Sequence, residues 1–137
     1  MKPYKLISHT ADIGVRVKGR TLKELFENSA FALFDIIADL ERVKEKERFI
    51  LNLTSGNQEE LLHDWLRELL FQCNVNLFVC KKFQISKLNN TSIESTAVGE
   101  HITSKDVFKT EIKAVTYHNM VIKKEKNTWK TNLIFDV

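Results

Sequence analysis

The sequence predicts an α+β fold: two amphipathic helices packed on antiparallel β-sheet, in the order β-α-β-α and then a β-meander. Three observations predict it. Residues 22–38 and 58–74 carry apolar side chains at helical spacing. The segments before and between them alternate with period two. From residue 75 onward the alternation recurs in runs joined by short turns, which pair strands antiparallel. Helices grouped on such a sheet make an α+β domain.

Residues 4–19 read as one strand, or as two joined at "SHTAD", with Gly19 and Arg20 in the turn that follows. Thr21-Leu22-Lys23-Glu24 fits a capping box, in which the Thr oxygen accepts from the Glu24 backbone and the Glu side chain reaches back. Leu22, Leu25, Phe26, Ser29, Ala30, Leu33, Phe34 and Ile37 then form the helical stripe of 22–38. The run "ERVKEKER" reads as a solvated connection. "RFILNL" alternates Phe49, Leu51 and Leu53 as a strand, and "TSGNQEE" is a turn in which Ser55 or Asn57 caps the second helix. That helix, 58–74, lines up Leu61, Leu62, Trp65, Leu66, Leu69, Leu70 and Cys73 as a core face. The strands expected after it are "NLFVCKKFQISKL", "TSIESTAVGEH", "VFKTEIKAVTYH", "NMVIKKEK" and "TWKTNLIFDV", with a hairpin turn in "KEKNTWK". No repeat or linker divides the chain, so residues 1–137 are expected to form a single domain.

The composition suits that expectation. A chain of 137 residues buries roughly two thirds of its unfolded surface, and 43% hydrophobic with 28% charged residues is ordinary globular usage. The net charge of +3 does not mark a protein that holds bare nucleic acid by overall charge. Cys73 and Cys80 stand in no C-x-x-C pair or metal-like spacing, and buried apolar thiols are the expected reading. The first residues lack the apolar centre of a signal peptide, and no apolar run approaches the roughly 20 residues of a membrane span. A cytoplasmic protein without membrane contact is expected.

Several familiar sites are absent. With four glycines there is no Gly-rich phosphate loop, and no Ser stands in a G-x-S-x-G elbow. His9, His63, His101 and His118 show no zinc spacing, and the period of the second helix puts His63 on its exposed side as a solvated residue. Two acids are more informative. Asp12 precedes the alternation Ile13, Val15, Val17, and Asp136 follows the apolar run "LIF". Strands at the two ends of a domain often lie side by side. Two converging carboxylates repel one another unless a cation sits between them, and a hard divalent ion with oxygen ligands would resolve the repulsion. Val137, as the last residue, would add the oxygens of its own carboxylate. Two unrelated solvated acids are the alternative. Lys113 sits mid-strand beside Ala114 and Val115; it either snorkels to solvent or, turned toward the acids, holds a phosphate or a partner carboxylate. Glu100, in "AVGEH", is a turn-like acid with the same ambiguity.

The segments "SHTADIGVRVKGRTLKELFENSAFALFDII", "LLHDWLRELLF", "VGE", "IKAVTYHNMVI" and "WKTNLIFDV", in this order, resemble the archease family. Residues 39–57 and 81–97 carry little of the likeness. The resemblance implies a small α+β protein that is not itself an enzyme. It implies a protein that activates the RtcB-type RNA ligase of tRNA splicing and RNA repair, by promoting guanylylation of the ligase and its repeated turnover. RNA would be met only through the ligase. The resemblance also implies a divalent cation on Asp12, Asp136 and Val137, with calcium as the family's ion and magnesium or manganese equally suited to oxygen ligands. It gives Lys113, with Asp12 and Asp136, a part in activation. Two other readings stand beside it: a chaperone-like partner of an RNA-modifying methyltransferase, and a metal-dependent phosphohydrolase acting on RNA or nucleotides.

Overall fold

Two antiparallel sheets enclose a pair of helices. A computed structural model describes residues 2–7, 12–117 and 120–137. His9, His118 and most of the "SHTAD" junction lie outside the described residues. The elements run β1 (Tyr4–Ile7), β2 (Ile13–Gly19), α1 (Leu22–Ile37), β3 (Glu47–Thr54), α2 (Gln58–Asn76), β4 (Phe78–Leu88), β5 (Ser92–His101), β6 (Ala114–Val115), β7 (Lys123–Glu125) and β8 (Thr128–Asp136). Short 3-10 turns span Leu40–Arg42 and Lys105–Val107. The first sheet has the order β1-β2-β8-β6, with β7 also paired to β8; the second has the order β3-β5-β4.

Local chemistry explains the helix starts. The Thr21 hydroxyl accepts from the Glu24 amide at 3.0 Å, and the Glu24 carboxylate accepts from the Arg20 amide at 3.1 Å. Of the two candidates for α2, Asn57 is the cap: its side-chain oxygen accepts from the Glu60 amide at 2.9 Å. Ser55 instead donates to the Asp64 carboxylate at 2.8 Å. The hairpin turn in "KEKNTWK" is present, with Glu125 opposite Thr128 and Lys126 at a φ of 56°.

The core forms where α1 and α2 meet the sheets. Helix α1 touches β2 and β8 of the first sheet and β4 of the second, which is why its buried side extends from Leu25 to Ile37 and includes Ala32. Phe26 packs on Trp65 with ring centres 5.8 Å apart, Trp65 on Phe83 at 5.7 Å, and Phe83 on Phe34 at 6.0 Å. The buried indole N–H donates to the Ser95 hydroxyl at 3.0 Å, and that hydroxyl donates to the Leu51 carbonyl at 2.6 Å. Each large side chain buried this way contributes about 1.5–3 kcal/mol. Cys73 and Cys80 are buried free thiols, and burial pushes the Cys73 thiol up to about 11. No helix of the described residues is long and apolar enough to cross a membrane.

The strands after residue 75 differ from a simple meander. β4 and β5 leave for the second sheet, where β5 lies between β4 and β3. The described part of "VFKTEIKAVTYH", residues 107–117, is mostly irregular: it holds the end of a 3-10 turn and the two residues of β6. Among the described residues of "NMVIKKEK", 120–126, β7 is the strand that forms. The cause is competition for backbone hydrogen bonds. Asn74 donates to the Ile112 carbonyl at 3.1 Å, the His63 ring donates to the Val115 carbonyl at 2.9 Å, and Glu59 accepts from the Ile122 amide at 3.0 Å. The amide of Lys109 donates to the Ile37 carbonyl at 2.7 Å. Helix side chains and a helix end thus take bonds that a regular ladder would use.

One glycine is required by close approach. The register of β4 against β5 shifts between Cys80 and Lys82, and a Cβ on Gly99 would lie 1.9 Å from the Val79 carbonyl oxygen. Gly99→Ala is expected to destabilise the fold by about 1–3 kcal/mol, as overpacking does, read as a lower midpoint in urea. An unchanged midpoint would show that the bulge relaxes freely.

Candidate functional site

β8 is the strand on which the site is built, because β2 and β6 flank it at its C-terminal end. On one side Ile13 is opposite Phe135, so Asp12, one residue further, comes alongside Asp136 by register. On the other side Ala114 is opposite Asp136, and the Lys113 amide donates to the Asp136 carbonyl at 2.7 Å. Asp12, Asp136, Val137 and Lys113, separated by up to 125 positions in the chain, therefore gather at one end of one sheet.

Their phases differ. Val15, Val17, Leu133 and Phe135 are fully buried, so their positions mark the face of the sheet that meets the core. Strand alternation sets Asp12, Asp136 and Ala114 in the opposite phase, on the outer face. Lys113 and Val137 are out of phase with the acids. Asp12 is half-buried, while Lys113, Asp136 and Val137 are exposed.

The donor set suits a hard cation. Like charges that face one another across neighbouring strands are destabilising, and Asp12 and Asp136 each stand one residue beyond the pair of Ile13 with Phe135. Val137 adds main-chain oxygen beside them. Among the described residues no three His, Cys, Asp or Glu side chains form a group that could hold a metal ion. A cation here would therefore rest on two carboxylates completed by main-chain oxygen. A pocket of about 250 Å³, whose lining runs from Phe108 to Ile112 and includes Lys109 and Glu111, contains none of the four residues.

His63 is where the sequence reading fails. It is not solvated: its side chain is 14% exposed. Its Nε2 reaches the Val115 carbonyl, its ring stacks 4.8 Å from the Tyr117 ring, and its Nδ1 lies 3.2 Å from the Asp64 carboxylate. It ties the segment that follows Lys113 to α2. Burial pushes the Asp64 carboxyl up, but the Ser55 hydroxyl, the His63 ring and the Arg67 guanidinium outweigh burial and hold it below the ordinary value of 3.8. The ambiguity over Glu100 also narrows. It stands on β5 rather than in a turn, with the Lys46 ammonium 4.0 Å away.

Two predictions follow from this geometry. His63→Ala should cost about 1 kcal/mol for the lost hydrogen bond and speed amide exchange at Lys113 and Thr116, whose amides donate to β8. Unchanged exchange at both would show that β8 alone holds the segment. The second concerns acid. A carboxyl held low in the folded state contributes stability that is present above its unfolded pKa and is lost as pH falls through the folded one. Asp64→Asn should therefore lose less stability than the parent chain on acidification below 3.8, measured by urea unfolding across pH.

Comparison with known proteins finds one family throughout. Residues 4–137 match the model of the Archease protein family. The Methanosarcina mazei protein archease is 42% identical over 99% of this chain and 97% of its own length. That of Methanopyrus kandleri is 35% identical over 98% of this chain and 99% of its own length. The solution structure of Methanobacterium thermoautotrophicum protein 1598 superposes with a TM-score of 0.86 at 35% identity, covering all of both chains. A Thermotoga maritima archease crystal structure, described as a possible chaperone, shares the fold with a TM-score of 0.65 at 21% identity, over 97% of this chain and 96% of its own.

Proposed function

The chain belongs to the Archease protein family, and from that premise we propose that it activates an RtcB-type RNA ligase in the cytoplasm, promoting guanylylation and multiple turnover without being an enzyme itself. The observation that carries this reading is the register at the end of β8, which gathers Asp12, Asp136 and Lys113 in a chain alike to archeases along its length.

In this reading Asp12 and Asp136, with main-chain oxygen of Val137, hold a divalent cation. Calcium is the first candidate, and magnesium or manganese also suit the oxygens. When bound, the ion supplies positive charge that offsets carboxylate repulsion and attracts phosphate oxygens. The residues do the rest. The hydrogen bond from the Lys113 amide to β8 fixes that residue beside the acids. Its ammonium is then available to a triphosphate or to a carboxylate in the partner's pocket. Positioning charge at another protein's active site requires no nucleophile in this chain.

The test is a guanylylation assay with the ligase, GTP and manganese, and substoichiometric amounts of this protein. The parent chain should speed guanylylation and support repeated turnover. Asp12→Ala, Asp136→Ala and Lys113→Ala should each reduce activation by at least about tenfold while circular dichroism shows the chain still folded. Chelation followed by return of calcium, magnesium or manganese would identify the ion. Full activation by both Asp variants would remove the cation site from the reading. A second reading is a chaperone-like partner of an RNA-modifying methyltransferase; the Thermotoga maritima structure is itself described as a possible chaperone, with no client named. Protection of a methyltransferase with no effect on the ligase would favour it, whereas hydrolysis of RNA or nucleotide by the pure chain would favour a phosphohydrolase.

A further inference from the structure

At the other end of the first sheet, the outer face is basic. Lys5 is opposite Arg16, and Arg16 is opposite Asn132. Lys18 is opposite Lys130, and Lys130 is opposite Lys123. These positions alternate with the buried Val15, Val17 and Leu133, so they share the face turned away from the core. Lys5, Arg16, Lys18 and Lys123 are exposed, and Lys130 is half-buried. Strands lie about 4.8 Å apart and successive residues of one face about 7 Å apart. Five cations thus occupy a patch two residues deep and four strands wide.

That arrangement works against the fold. Like charges directly opposite on paired strands are destabilising, and three such pairs occur here: Lys5 with Arg16, Lys18 with Lys130, and Lys130 with Lys123. Relief is slight. Glu125 reaches Lys130 at 3.1 Å, and the Arg16 guanidinium donates to the Asn132 side chain at 3.4 Å. A shallow depression of about 420 Å³ runs between Arg16, Lys18, Lys123 and Lys130, with Val121 as the exposed large apolar residue at its edge.

We infer that this face binds the phosphodiester backbone of a nucleic acid. The chemistry separates that ligand from a protein partner. Protein interfaces are built on aromatic and aliphatic anchors and are depleted in Lys, whereas the charged side chains of this depression are Lys and Arg apart from Glu125, with Val121 as the apolar exception. Phosphate contacts need only closely spaced cations and donors, and they carry most nonspecific nucleic-acid affinity. The overall charge of +3 is mild because acids elsewhere offset a local cluster. The inference is independent of the cation site, with which it shares no residue, and it makes contact with RNA direct where the family resemblance implies an indirect one.

The test is fluorescence anisotropy of the full chain with labelled oligouridylate, oligothymidylate and a DNA duplex, between about 50 and 200 mM salt. Binding should weaken steeply with salt. The double variant Lys18→Glu/Lys130→Glu should lose at least tenfold affinity, with a salt slope shallower by about 0.7–0.9 for each lost contact. Lys18→Gln/Lys130→Gln should fall between the two. Lys82→Glu/Lys87→Glu, the same charge change on the second sheet, should bind as the parent does. A preference for oligouridylate, for oligothymidylate or for the duplex would identify the source of the backbone. Three results would overturn the inference: no binding at the lowest salt, an equal loss from the control variant, or tighter binding to anionic phospholipid vesicles than to any oligonucleotide.

Discussion

The antiparallel pairing of β2 with β8 is the constraint from which the rest of the molecule follows. It runs through seven register pairs, from Ile13 opposite Phe135 to Gly19 opposite Trp129. β1 extends it on one side, while β6 and β7 attach to β8 on the other. Helix α1 leaves the end of β2 and folds back over the buried face that the pairing creates. The same pairing brings two acids from opposite ends of the chain to one sheet end. A single slip in register would move every side chain of the strand to the other face. The burial of Val15, Val17, Leu133 and Phe135 therefore fixes the outward phase of Asp12 and Asp136 as firmly as it fixes the core.

Much of this was legible in the sequence. The apolar stripes of α1 and α2, the capping residues and the strand alternation of β2, β3, β4, β5 and β8 each express a local preference that tertiary packing reinforces. Residues 105–117 and 120–122 were not legible, because their apolar alternation is real but several of their hydrogen bonds go to helix side chains and a helix end. Glu59, His63 and Asn74 lie on one side of α2, and their polarity made that side look solvated. No local pattern distinguishes a polar residue facing water from one facing another segment's backbone. The meeting of Asp12 with Asp136 could be argued from the tendency of chain ends to lie together. The phase of Lys113 could not, since it depends on pairing that only the folded sheet defines.

The two sheets divide the work. The second sheet and α2 supply stability: the aromatic chain from Phe26 through Trp65 and Phe83 to Phe34 ties both helices to β4. The charges of interest lie on the first sheet, and apart from Lys113 they share its outer phase. Acids stand at one end and cations at the other, with Arg16 and Lys18 four and six residues beyond Asp12 along β2. A sheet held in register along its length keeps those two groups at a fixed separation, as a loop-borne site would not.

The long span of the β2–β8 pairing also orders the events of synthesis. The nascent chain emerges at about 5–20 residues per second. β3, α2, β4 and β5 are close together in sequence and can associate while translation continues. β2 cannot find β8 until more than a hundred further residues have followed it; Arg16 and Asn132, which touch in the finished sheet, are 116 positions apart. Through that interval one edge of β2 has no strand beside it, and such edges invite pairing with other chains. Arg16 and Lys18 then act as gatekeepers, their charge discouraging the growing polypeptide from associating with its neighbours before its own last strand arrives.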